Sequence, residues 1–287
     1  MKIPPSELPL QPGGEIYHLG ITPQDLANTV ILVGDPDRVP TISAKFDTLD
    51  FTRQNREIVT HTGTLRNKRI TVLSTGMGTD NIDIVLTELD ALVNIDLQRM
   101  EVKPAHQSLN LIRIGTCGSL QADIPVNSFV AAAYGLGLDG LLHYYKHDAS
   151  VYQELVSDFI TQTHWDAKLP QPYCFSANPE LLEQIAFDMY HGITASAQGF
   201  FGPQGREVRA AIQYPALNKD ITQFSHKGLR VTNLEMECSA IYGLGHLLKH
   251  RTLTVCMVVA NRITNEFSKD YHQQMDKLID TVLTRVF

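Results

Sequence analysis

Seven apolar runs rich in β-branched residues recur along this chain, at positions 29–33, 70–75, 111–115, 129–133, 192–196, 229–233 and 252–259. Several are apolar on both faces, as strands buried inside a parallel sheet are. Between some of them the apolar residues fall at helical spacing. Ile84, Val85, Leu89, Leu92 and Val93 do so within 80–94, and Ile241, Leu244, Leu247 and Leu248 within 238–249. Met275, Leu278, Val282 and Val286 repeat the pattern from Tyr271 onward. This alternation predicts an α/β layered fold. No repeat or low-complexity linker divides the chain, which predicts a single domain over 1–287. Within it, 1–14 holds four prolines and reads as an extended N-terminal arm. The polar stretch 96–108, with Pro104, reads as an exposed insertion, and 148–172 is expected to pack over one sheet edge.

Three of the strand-like runs end on glycine: Gly34, then Gly76 and Gly78, then Gly115. Ligands of parallel α/β sheets bind outside the carboxyl ends of strands, so these turns locate a site. Arg113 sits inside one of the runs, in Leu111-Ile112-Arg113-Ile114-Gly115-Thr116-Cys117-Gly118. A guanidinium keeps its proton there and must meet an anion. That anion is either an internal carboxylate or a ligand held where the strand opens into the Gly115-Thr116 turn.

The formal net charge of −7 argues against a general nucleic-acid or membrane-surface binder, which needs a broad positive field. A bound anion therefore needs a local cluster of cations. The longest apolar stretches, such as 255–260, are far short of a membrane span, and no signal-peptide core is present. Cys117, Cys174, Cys238 and Cys256 are scattered, as reduced thiols of a cytoplasmic protein are. The histidines show no paired ligand spacing, so no metal site is expected.

Three further segments carry chemistry. In Gly34-Asp35-Pro36-Asp37-Arg38, Asp35 suits a helix cap and Pro36 the first helical position. The amides there, with Arg38, are suited to a phosphate; the plainer reading is a turn with a surface arginine. In Glu235-Met236-Glu237 two carboxylates stand at a strand-to-helix change. Glu237 suits a pair of sugar hydroxyls, whereas Glu235 is better explained by the helix N-terminus. Phe200-Phe201-Gly202-Pro203-Gln204-Gly205-Arg206 joins aromatic faces to an amide and a guanidinium. Such a set suits a flat heterocycle, or else the aromatics simply cover the core.

Together with Tyr17-His18-Leu19-Gly20, Asn55-Arg56-Glu57, Ser74-Thr75-Gly76-Met77-Gly78 and Asn261-Arg262, these ordered blocks resemble the nucleoside phosphorylase-I superfamily, and within it the uridine phosphorylases. The resemblance implies a three-layer α/β/α fold with a mixed central sheet flanked by helices. It also implies that phosphate attacks C1 of a ribose and releases the base. Gly34, Arg38, Arg113 and Thr116 would hold phosphate, with Arg56 reaching in from a neighbouring subunit. Met236 and Glu237 would hold the ribose, and His18 of the neighbour its 5′-hydroxyl. Phe200, Gln204 and Arg206 would bind the base, with Arg262 close behind. The reaction itself would rest on Arg113, Glu237, Gln204 and Arg206. The resemblance implies no organic cofactor, phosphate being a co-substrate. The expected assembly is a homodimer with shared active sites, or a hexamer built from such dimers. Purine-cleaving relatives usually present an aspartate near Ala260-Asn261-Arg262; Asn261 cannot be that acid, which points to a pyrimidine. Purine nucleoside phosphorylase and phosphate-independent nucleosidase activity are the alternatives. On this reading Arg113→Ala would impair phosphate use and leave folding intact.

Overall fold

The computed structural model describes residues 2–148 and 152–287. The chain begins its regular structure with β1 (Thr29–Val33), α1 (Arg38–Ser43), β2 (Thr48–Asn55), β3 (Ile58–Leu65) and β4 (Lys68–Ser74). Helix α2 (Thr79–Asn94) leads through the short strands β5 (Ile95–Asp96) and β6 (Glu101–Val102) to β7 (Asn110–Ser119) and β8 (Phe129–Gly137). Next come α3 (Gln153–Gln162), β9 (Tyr173–Ser176), α4 (Pro179–Ala186) and β10 (Tyr190–Ser196). They are followed by α5 (Leu217–Gln223), β11 (Ser225–His226), β12 (Leu229–Glu235) and α6 (Cys238–Leu247). The chain closes with β13 (Arg251–Asn261), β14 (Glu266–Phe267) and α7 (Tyr271–Arg285).

One mixed sheet runs in the order β11-β12-β10-β8-β13-β7-β1-β4-β3-β2 and is flanked by helices. Strand β12 also pairs antiparallel with β7, through Asn233 with Ser119 and Leu234 with Gly118. Strands β7, β13, β8, β10 and β12 therefore close on themselves, and only the β1-β4-β3-β2 half stays open. Strands buried along their length, such as β1, need helices on both faces, so the apolar core lies in two layers about the sheet.

All seven expected strands form, several of them longer than their apolar runs. The largest difference is at β7, which continues through Gly115 and Thr116 to Ser119 instead of turning there, because β13 and β12 keep pairing with it. Strands β2 and β3 carry no apolar run. Strand β2 is mostly exposed at the sheet edge and is held by its ladder to β3. Helix α1 begins at Arg38, later than Asp35 and Pro36 suggest; Asp35 Oδ1 instead accepts the Asp37 N–H at 3.0 Å in a turn.

The proline-rich N-terminal segment is not extended. Glu7 and Leu8 donate to the Pro4 carbonyl, Gln11 donates to that of Glu15, and Ile3 donates to Met100 at 2.8 Å. This last bond ties the segment to the β5–β6 hairpin of the polar 96–108 stretch. Of 148–172, residues 149–151 lie outside the described residues, and α3 packs against β9 and β11. No helix among the described residues is long and apolar enough to cross a membrane.

Helix α6 is fastened to the sheet by Tyr242. Its fully buried hydroxyl donates to the Ala132 carbonyl at 2.6 Å and accepts the Thr254 N–H at 2.9 Å. Tyr242→Phe strands that amide, and urea denaturation is expected to show a loss of about 1–3 kcal/mol.

Candidate functional site

A cavity of about 660 Å³ opens where β1, β4, β7, β12 and β13 approach their carboxyl ends. Gly34, Arg38, Arg113, Thr116, Phe200, Gln204, Arg206, Met236 and Glu237 all line it, although they come from four separate parts of the chain. His18, Arg56 and Arg262 do not line it.

Arg113 forms the floor. The residue is 4 % exposed; it donates through Nη2 to Glu237 Oε2, and its Nη1 lies 3.4 Å from Glu235 Oε2 and from Cys256 Sγ. Burial alone would lower the Arg113 pKa, but Glu237 and then Glu235 outweigh it and the pKa is raised. The guanidinium lies over Gly115, on the same face of β7; a Cβ at Gly115 would stand 2.0 Å from Nη1. Gly115 is thus explained by room for its neighbour's side chain, not by a turn. Both readings of Arg113 hold in part: it lines the cavity, and internal carboxylates already meet its charge.

The two glutamates divide as their positions suggest. Glu235 accepts the Glu237 N–H at 2.9 Å and the Cys238 N–H at 2.9 Å, and so closes the N-terminus of α6. Burial raises its pKa, opposed by Arg113, and the Ser196 hydroxyl donates to it at 2.5 Å. Glu237 faces the cavity and accepts the Gly78 N–H at 2.7 Å beside its bond to Arg113. A carboxylate offers about four acceptor positions, so roughly two stay open to a ligand.

Arg38 stands apart from these acids. Its Nη2 donates to the Tyr271 hydroxyl at 2.5 Å and its Nη1 to the Ile114 carbonyl at 3.4 Å, and it forms no ion pair among the described residues. Nothing at the sequence level linked Tyr271 to Arg38.

At the far end, the 200–206 loop folds on itself. Arg206 stacks 3.8 Å from the Phe200 ring centroid and donates from Nη1 to Gln204 Oε1 and to the Phe200 carbonyl, both at 2.6 Å. With its amide oxygen taken, buried Gln204 has its nitrogen left as the donor. Arg262 braces the loop from behind, donating to the Gln204 carbonyl at 3.2 Å. Burial first, then the nearby Arg262 charge, lowers Arg206 to about 10. Neither arginine has an ion-pair partner among the described residues, so this end of the cavity is electropositive.

Asn261 does not face the cavity. Its amide nitrogen donates to Gln121 and Ile124 carbonyls, and its oxygen accepts the Ile263 and Thr264 N–H groups. The segments that carry His18 and Arg56 lie side by side instead, away from the cavity. Asn55 donates to the His18 carbonyl at 2.7 Å, Arg56 lies 5.6 Å from the Tyr17 ring centroid, and His18 Nδ1 bonds Glu88 Oε1 at 2.6 Å. Sequence reading also passed over Phe267, which is 70 % exposed at the cavity mouth.

Among the described residues, Asp90, His106 and His250 bring ligand atoms within 4.8 Å of one another. They are poorly suited to a metal. The Leu109 N–H donates to His250 Nδ1, so the proton of the neutral ring sits on Nε2, facing Asp90 Oδ1 at 3.3 Å.

The sequence model of the phosphorylase superfamily matches residues 28–286, and the chain belongs to that superfamily. It is similar to the uridine phosphorylase of Thermococcus kodakarensis, 32 % identical over 270 residues that span 92 % of this chain and 84 % of the relative. The uridine phosphorylase of Treponema pallidum is 28 % identical over 248 residues, 86 % of this chain and 82 % of that one. Among solved structures, a Trypanosoma brucei nucleoside phosphorylase that shows uridine phosphorylase activity superposes with a TM-score of 0.86 at 30 % identity, covering 96 % of this chain and 98 % of that one.

The ion cluster corrects the expectation that Arg113 can be removed without harm to folding. Arg113→Ala leaves two buried carboxylates facing each other, and urea denaturation is expected to show a loss of about 3–5 kcal/mol. An unchanged unfolding midpoint would mean that the cluster contributes nothing to stability.

Proposed function

We propose that this chain is a uridine phosphorylase, converting uridine and inorganic phosphate into uracil and ribose 1-phosphate. The observation that carries the reading is the convergence of Arg38, Arg113, Glu237, Gln204 and Arg206 on one cavity, in a chain similar over most of its length to uridine phosphorylases.

Phosphate lies at the Arg38 end, against the Gly34 turn, Thr116 and Arg113. Met236 and Glu237 hold the ribose, and Glu237 accepts from its hydroxyls. Phe200, Gln204 and Arg206 hold the uracil. As an oxygen of hydrogenphosphate bonds to C1, the C1–N1 bond breaks and its electron pair passes into the base, onto the carbonyl oxygens; the base then takes up the proton that the new phosphoester gives up and leaves as uracil. Positive charge grows on the sugar above the phosphate, and negative charge grows at the base beside Gln204 and Arg206. Each charge-assisted hydrogen bond contributes about 1.5–3 kcal/mol, enough for a local cluster to hold an anion in an acidic chain. Phosphate arrives as an anion, so the attack uses neither a general base nor a metal.

His18 and Arg56 complete the site of a neighbouring subunit in a homodimer, or in a hexamer built from such dimers. The adjacency of their two segments, away from the cavity of their own chain, supports this. A cytoplasmic location is in keeping with four buried free cysteines.

Uracil release from uridine is expected to require phosphate and to yield ribose 1-phosphate, measured by chromatography with and without phosphate. Release indifferent to phosphate would make the protein a nucleosidase, and faster cleavage of inosine would make it a purine phosphorylase. Gln204→Ala and Arg206→Ala are each expected to lower kcat/KM for uridine by about tenfold or more, with a smaller effect on any inosine cleavage. Equal losses on both nucleosides would remove these residues from uracil recognition.

A further inference from the structure

Two arginines stand at the phosphate end of the cavity, and their surroundings differ in kind. Arg113 is buried against Glu237 and Glu235, which meet its charge and fix its position. Arg38 is half-buried and bonds only neutral oxygens, the Tyr271 hydroxyl at 2.5 Å and, at a long 3.4 Å, the Ile114 carbonyl. We propose that Tyr271 is a positioning residue for phosphate, holding the Arg38 guanidinium at the cavity while leaving its charge undivided. This rests on the reading of Arg38 as a phosphate ligand.

An arginine side chain loses about 2 kcal/mol of rotamer freedom when it is fixed, so an unsupported guanidinium at a cavity wall binds an anion at a penalty. A carboxylate would fix it but would compete with phosphate for its charge. A phenolic oxygen accepts one N–H, carries no charge at neutral pH, and leaves the other donors free. Tyr271 is itself well placed for this. It is the first residue of α7, its ring packs against the main core, and the His272 ring meets it edge-on at 4.9 Å between centroids. The hydroxyl is thereby delivered from the C-terminal helix to a residue at the start of α1, 233 positions away in sequence.

The test is Tyr271→Phe, which keeps the ring and removes the acceptor, alongside Arg38→Met and the double variant. Tyr271→Phe is expected to raise KM for phosphate about tenfold, with kcat at saturating phosphate and KM for uridine within about twofold of the parent. Its melting temperature should stay close to that of the parent. In the Arg38→Met background the same change should add no further loss. The proposal is overturned if Tyr271→Phe leaves phosphate KM unchanged while Arg38→Met raises it, or if the two losses multiply in the double variant. A joint fall of kcat and both affinities with a lowered melting temperature would also overturn it, because packing would then be the cause. If Arg38→Met itself leaves phosphate KM unaltered, the phosphate reading of Arg38 fails along with it.

Discussion

The buried contact of Arg113 with Glu237 and Glu235 is the constraint around which the cavity is built. It joins the middle of β7 to the β12–α6 junction, segments more than a hundred residues apart in sequence. Buried charged groups such as these are tolerable only when each is met by opposite charge or by hydrogen bonds. Both are present: Ser196 and the first amides of α6 support Glu235, the Gly78 amide supports Glu237, and Gly115 leaves room for the guanidinium. Within this cluster, the Arg113 Nε–H has no partner among the described residues. The rigidity of the floor follows from this mutual requirement.

Closure of β7, β13, β8, β10 and β12 brings the residues of the cavity wall to one place. The β12–β7 pairing sets Leu234 beside Gly118, so the strand that ends in Glu235 lies against the second half of the strand that carries Arg113. The open half of the sheet supplies the Gly34 and Gly76 turns from β1 and β4. The cavity thus has cationic groups at Arg38 and at Arg206, the latter backed by Arg262 from outside the cavity, and between them a floor whose charge is met internally. This polarity along one cavity, rather than the net charge of the chain, is what an anion and a base that turns anionic would meet.

Much of this was legible in the residues. Buried strands announce themselves because both faces must be apolar, and an arginine in such a run is conspicuous because its charge demands a partner. The ordered glycine, arginine and glutamate blocks pointed to one superfamily, and the division of labour between Glu235 and Glu237 followed from their places at a helix start. The polar edge strand β2 was hidden, since it is held by its ladder and not by side-chain burial. The proline-rich arm was misread because its turns depend on carbonyls that only the folded chain brings near.

Local chemistry alone therefore determined which segments become buried strands, that β1 and β4 run out into glycine turns, and that an anion must lie against Arg113. The tertiary structure decided which anion meets it first, because Glu237 and Arg113 become neighbours only when β12 folds back along β7. It also decided that Arg38 leans on Tyr271 and that Asn261 braces a loop instead of facing the cavity. Such partners are set by the three-dimensional path of the backbone, and spacing along the chain carries no record of contacts made across it.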